Sequence, residues 1–220
     1  MTEGSDWFES IWEHREESVY PEIFGSIGVG IYPLTASIFI ETFKQDFDPR
    51  WLHYGVFESP PCDKHQSWLY VTSGMSNPWE DEQPERDGLS GLGCEFIFET
   101  PMQSKWAILR VQHMMAFQVL LAHDRYLNRE TLDIYDRIPL HGPITPEPSE
   151  LTYIMVASPS HFIPSFQLES GHVDLLSLVG ITDAEAQFAR NNDGGTLLKY
   201  LKDNNAFPVT DPGRHCTISQ

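Results

Sequence analysis

The residue types that could carry a reaction are sparse in this chain and seldom spaced for one. Glu169 and His172 form the one Glu-x-x-His pair. That pair is half of what a di-iron carboxylate bundle needs, or, with Asp87, the core of a small hydrolytic site. It lies beside Gly171 in a β-rich stretch, where a solvated Glu and an ordinary polar His are the expected reading. Cys62, Cys94 and Cys216 stand far apart, and the nine His give no C-x-x-C and no H-E-x-x-H, so no zinc site is expected.

Gly88-Leu-Ser-Gly-Leu-Gly93 is the other candidate, as a phosphate cradle, a catalytic turn or the mouth of a strand. A P-loop needs Lys and then Ser or Thr after its last glycine, whereas Cys94 and Glu95 follow here. A dinucleotide fingerprint would open a helix, and the stretch after Gly93 alternates like a strand. A nucleophile elbow needs Gly-x-Ser-x-Gly, and Gly88-Leu-Ser-Gly91 is one residue short. Neither a cofactor nor an enzymatic activity is expected. The loop before it holds Asp81, Glu82, Glu85 and Asp87, without the bidentate Glu of an EF-hand, and Pro78 and Pro84 fix its shape. Trp79 stands among these acids, either to anchor the loop in the core or to touch a partner.

The bulk charge narrows the class of partner. Fourteen Lys and Arg against 32 Asp and Glu give a net charge of −18, a field that repels phosphate backbones and anionic membranes and draws basic proteins inward. Nucleic acid and membrane are therefore not expected as partners. The 220 residues suffice for one domain, 1–220, with a sizeable core. Charges run through the first 20 residues where a signal peptide would be apolar, and unpaired cysteines fit a reducing compartment, so a cytoplasmic location is expected.

The elements that must position these residues follow from periodicity. Asp6 and Glu9 have capping-box spacing ahead of Trp7, Phe8, Ile11 and Trp12, predicting a helix over 6–20 that Pro21 breaks. Ser37–Phe43, Trp51–Phe57 and Trp68–Thr72 read as strands. Cys94–Thr100 puts Cys94, Phe96 and Phe98 on one face and Glu95, Ile97 and Glu99 on the other, the pattern of a sheet with one wet face. The apolar stripe from Trp106 through Leu109, Val111, Met114, Phe117 and Leu120 to Leu121 predicts a helix over 104–125 packed across that sheet. Residues 138–148 read as a proline-rich loop, and 151–157 and 173–181 as inner strands. Thr182 and Glu185 form a second capping box, and a last helix spans 196–203 after Gly194-Gly195. The final residues read as an extended piece and a frayed end.

Ser73-Gly-Met-Ser-Asn-Pro-Trp79, an acidic loop, and Asp87-Gly-Leu-Ser-Gly-Leu-Gly-Cys-Glu-Phe-Ile-Phe98 together resemble the suppressor of fused-like domain family. Trp51-Leu-His-Tyr54, the helix from Trp106 to His123, and Phe166 to His172 followed by Leu175 to Thr182 extend the likeness over about 20–205. The resemblance implies an α+β fold, a mixed and largely antiparallel sheet flanked by helices. It also implies a protein-binding module without known enzymatic activity. Animal members grip a zinc-finger transcription factor as an extended peptide. Bacterial stand-alone members, whose length this chain matches, are proposed to be immunity proteins against polymorphic toxins, which makes a basic toxin the candidate partner. Asp87 and Trp79 match positions near the animal peptide groove, so Trp79, Asp81, Glu82, Glu85 and Asp87 are the expected contact residues. Gly88, Gly91 and Gly93 are expected to serve the turn into the strand. A hydrolase using Glu169 and His172, or a scaffold in a larger assembly, are the alternatives.

Overall fold

A computed structural model describes residues 3–28, 30–78 and 86–218. Its described strands are β1 (Ile31–Pro33), β2 (Gly55–Ser59), β3 (Trp68–Ser73), β4 (Leu89–Thr100), β5 (Arg137–Pro139), β6 (Leu151–Ala157), β7 (Ser165–Leu168) and β8 (Gly171–Thr182). They form one mixed sheet in the order β1-β2-β3-β4-β8-β6-β5. Only β4 and β8 run parallel; the other described pairings are antiparallel. β8 is long enough to take β7 beside its first residues and β6 beside its last, both on the side away from β4.

The alternation of each central strand feeds two cores. Cys94, Phe96, Phe98, Leu176 and Leu178 face α3 (Lys105–Ala122), whose Val111, Met114 and Met115 are buried against them. Each such fully buried side chain contributes roughly 1.5–3 kcal/mol. Leu109, read as part of the apolar stripe, points outward. On the opposite face Leu69, Val71, Ile97, Val173 and Leu175 meet Ile11, Tyr20 and Phe24 of the N-terminal helices α1 (Glu3–His14) and α2 (Tyr20–Phe24). Further along that strand direction Met155, Val179 and Ile181 pack on α4 (Asp183–Asn191) and α5 (Gly194–Asp203). Sheet and helices make the expected α+β arrangement.

Several local expectations are overturned, each by tertiary context. The helix begins at Glu3, which places Asp6 inside it. Pro21 does not end it: the chain passes through a π-helical segment, Arg15–Val19, into α2, where Pro21 sits in the first turn and needs no amide partner. The break comes at Gly25, with φ 82°. Ile38–Phe43 is π-helical rather than a strand, because its apolar Ile38 and Phe39 reach the core from one helical face. Pro49–His53 is a 3-10 turn capped by Asp48, so that strand starts only at Gly55.

The wet face of β4 does not exist either. Cys94 to Thr100 are buried on both sides, because the N-terminal helices cover the Glu95–Ile97–Glu99 face. Nor are the described residues 209–214 frayed. Val209 bridges to Glu99, Thr210 Oγ1 accepts from Gly180 N at 3.0 Å, and Arg214 forks onto buried Glu185 with two 2.8 Å bonds. The Thr182–Glu185 capping box forms as expected.

Candidate functional site

β3 runs out at Ser73 and β4 begins at Leu89, and the chain between them is anchored by a buried polar cluster. Glu95, fully buried, turns its carboxylate toward residues 72–76. Oε1 accepts from Gly74 N (3.0 Å), Ser76 N (2.9 Å) and Ser76 Oγ (2.7 Å), while Oε2 accepts from Thr72 Oγ1 (2.6 Å). Arg15 descends from the π-helical segment, also fully buried. It donates to Ser76 Oγ (2.8 Å), Asn77 Oδ1 (2.7 Å) and Ser73 Oγ (2.7 Å). Its Nη1 lies 3.9 Å from Glu95 Oε1, and Ser73 also donates to Glu16. A buried charge is tolerated only when countered and saturated with hydrogen bonds. Here the two charges and the Ser-Gly-Met-Ser-Asn turn supply both conditions for each other.

The glycine segment locks against the same turn. Leu92 N donates to Met75 O at 2.7 Å, and Ser90 Oγ reaches Ser76 O (2.7 Å) and Ser170 Oγ (2.6 Å). Gly91 takes φ 56°, and a Cβ there would stand 2.4 Å from Asn77 O and 2.6 Å from Met75 O. Gly93 takes φ 70°. Both fall where the β4–β8 register shifts between Leu89 and Cys94. Gly88 O accepts from His172 N at 2.8 Å, tying the loop's end to the β7–β8 hairpin. The Leu92 amide is thereby spent on a protein carbonyl.

Of the contact residues expected from the sequence, Trp79, Asp81, Glu82 and Glu85 lie outside the described residues. Asp87 is exposed, and beside it Leu89 keeps 59% of its surface in solvent. Leu89, His172 and Gln167 are cross-strand neighbours on β4, β8 and β7. Glu169 in the hairpin turn and Asp174 two residues beyond His172 are exposed at the same end of the sheet. Glu169 and His172 do not form a joint site: His172 Nε2 instead sits 3.1 Å from Asp174 Oδ1, both open to water. Among the described residues no three His, Cys, Asp or Glu side chains converge as a metal-ligand set. Burial pushes the Cys94 thiol up to about 12, which removes its nucleophilic thiolate at neutral pH.

Sequence reasoning missed the buried ionisable groups. Glu95 and Glu99 were read as solvent-facing, and Arg15 was given no role. Glu99 accepts from Ser67 Oγ and lies 3.4 Å from His161 Nε2. Burial raises the Glu99 carboxyl and lowers His161, so both are pushed toward their neutral forms. The signal available was a helix with Arg15 one turn from its apolar residues, facing a strand with two acids at alternate positions.

Solved structures share this architecture. A chain of the Sufu–Fu complex crystal structure aligns over 96% of this chain and 91% of its own, with TM-score 0.64 and 16% identity. A SUFU (suppressor of fused protein) homologue from Neisseria gonorrhoeae FA 1090 aligns over 99% and 100%, with TM-score 0.60 and 15% identity. Drosophila Suppressor of Fused aligns over 74% of this chain, which spans 42% of that protein, with TM-score 0.58 and 16% identity. No curated protein matches by sequence search. The profile of the Suppressor of fused protein (SUFU) family matches residues 50–215, and the chain belongs to that family. No helix among the described residues is long and apolar enough to cross a membrane.

Proposed function

We propose that this chain is a non-enzymatic, single-domain, cytoplasmic protein-binding module that neutralises a basic toxin through the acidic end of its sheet. The observation that carries the reading is the rigid presentation of that end. A buried Arg15–Glu95 cluster and the locked glycine turn fix both stems of the acidic loop, and exposed Leu89 stands beside Asp87 with Glu169 and Asp174 nearby. In the sequence, Trp79, Asp81, Glu82 and Glu85 lie between those stems and add an aromatic and further acids. An apolar contact ringed by acids fits a basic protein, and the net charge of −18 would speed its capture. A Sufu–Fu complex among the structural neighbours supports protein binding as the use of this fold.

The test is co-purification with the product of the neighbouring gene, followed by association kinetics. The association rate should fall on the order of tenfold from low to high salt. Asp87→Lys should weaken binding about tenfold while its melting temperature stays that of the wild type, since Asp87 is exposed. A salt-independent rate together with unchanged Asp87→Lys affinity would refute the acidic surface as the contact.

A further inference from the structure

Where α3 meets the loop before β6, the charge of the molecule reverses. A cavity of about 480 Å³ opens between the π-helical segment Ile38–Phe43, α3 and β5, and none of its twelve lining residues is Asp or Glu. Arg110, His113, Arg129 and His141 supply basic groups instead. In a chain with 32 acids against 14 Lys and Arg, that lining is the opposite of the average surface. Its walls are a continuous aromatic run. Phe43 stacks on Phe117 with ring centroids 6.0 Å apart and 9° between planes, Tyr126 meets Phe117 edge-on at 5.6 Å, and His113 meets Phe43 at 6.2 Å.

The rim is built rather than loose. Buried Gln118 accepts from Leu132 N at 2.8 Å, which ties the chain beyond Tyr126 to α3. Arg110 donates to Pro143 O and Ile144 O at 2.8 Å each, which holds the other side. Its charge is not neutralised by those carbonyls. Arg129, His113 and His141 have no hydrogen-bond or ion-pair acceptor for their side chains among the described residues. Burial first, and the Arg110 charge second, hold His113 below its ordinary value.

We propose that this cavity binds a carboxylate carried on an aromatic or aliphatic body, its anionic end held by Arg129, His113 and His141 and its apolar end against Phe43, Phe117 and Tyr126. A carboxylate with a forked guanidinium partner gains charge-assisted hydrogen bonds, while the aromatic walls take the body. The carboxylate could belong to a free organic acid or to the last residue of a peptide. None of the cavity residues belongs to the acidic end assigned to protein binding.

Calorimetry with 2-naphthoate, 2-naphthalenemethanol, and peptides ending in Phe with a free or an amidated C-terminus tests this. Naphthoate should bind at least about tenfold more tightly than the alcohol, and Arg129→Gln should remove most of that difference, as expected for a charge-assisted pair. Arg129 is exposed, so the variant should fold; His141→Gln, also exposed, serves as a second variant with a smaller loss. Binding of the free-ended peptide but not its amide, with weaker naphthoate binding, would assign the peptide source; the reverse would assign the free acid. Equal affinity for naphthoate and alcohol, no binding of either carboxylate source, or unchanged affinity in both variants would overturn the proposal. Asp87→Lys should leave naphthoate binding unaltered, which separates this site from the protein contact.

Discussion

Replacing Arg15 by Met keeps most of the side chain's apolar stem and removes its charge and three donors. The separation of 3.9 Å between Arg15 Nη1 and Glu95 Oε1 corresponds to a gross attraction of roughly 4 kcal/mol at an effective dielectric constant of about 20. The variant also removes the bonds to Ser73, Ser76 and Asn77, while Arg15 Nε has no partner to lose. Glu95 would be left buried with only neutral donors. The expected loss is about 3–5 kcal/mol, the usual result of stranding one member of a buried pair. Glu95→Gln should be milder, about 1–2 kcal/mol, because its carbonyl oxygen can still accept from Gly74 N and Ser76 N and Arg15 keeps the Glu16 carboxylate 3.3 Å away. Urea unfolding of the two single variants and the double variant measures the coupling. The double variant should be more stable than additivity predicts by at least about 1 kcal/mol, since removing both charges strands neither. Arg15→Met within about 1 kcal/mol of wild type, or strictly additive losses, would refute the view that this pair holds the loop stems.

Glu99 gives a pH-dependent outcome. Its folded carboxyl is raised by burial, so its contribution to stability is fully present below its unfolded value and is lost as pH rises through the folded one. Glu99→Gln, which cannot ionise, should therefore gain stability relative to wild type as pH rises through that window, and a constant difference in melting temperature across pH would contradict it. Gly91→Ala should cost roughly 1–3 kcal/mol from its left-handed backbone alone, and more from the 2.4 Å approach to Asn77 O. A wild-type melting temperature would mean that the turn relaxes freely.

The strands with strong β-branched and aromatic content, 68–72, 151–157 and 173–181, were legible because local preference and tertiary role agree there. So were α3 and the Thr182–Glu185 cap, whose signals are periodic or stereochemical. The failures share one cause. Ser37–Phe43 carries β-type residues but is held helical by the contacts of Ile38 and Phe39, which local sequence does not encode. Glu95 and Glu99 alternate with apolar residues in the way a solvated face does, and only the arrival of a helix some 80 residues earlier in the chain makes that face an interior. Arg214 fails for the same reason: its partner Glu185 was visible as a cap, but the carboxylate's second use, 29 residues away, was not.

The buried acids also bear on why two separated strings identify this fold. Ser73-Gly-Met-Ser-Asn77 and Gly91-Leu-Gly-Cys-Glu95 are not two independent signatures. The first supplies the amides and hydroxyls that the Glu95 carboxylate requires, and the second supplies the carboxylate and the left-handed glycine into which Asn77 and Met75 press their carbonyls. Altering either string leaves the other with an unsatisfied buried group, at a cost of about 1–3 kcal/mol per group. Under the proposed function, the acidic sequence between them answers to a partner rather than to this cluster. Its length and composition can therefore change to suit a partner while its stems stay fixed, which is the division of labour a family of protein-binding modules requires.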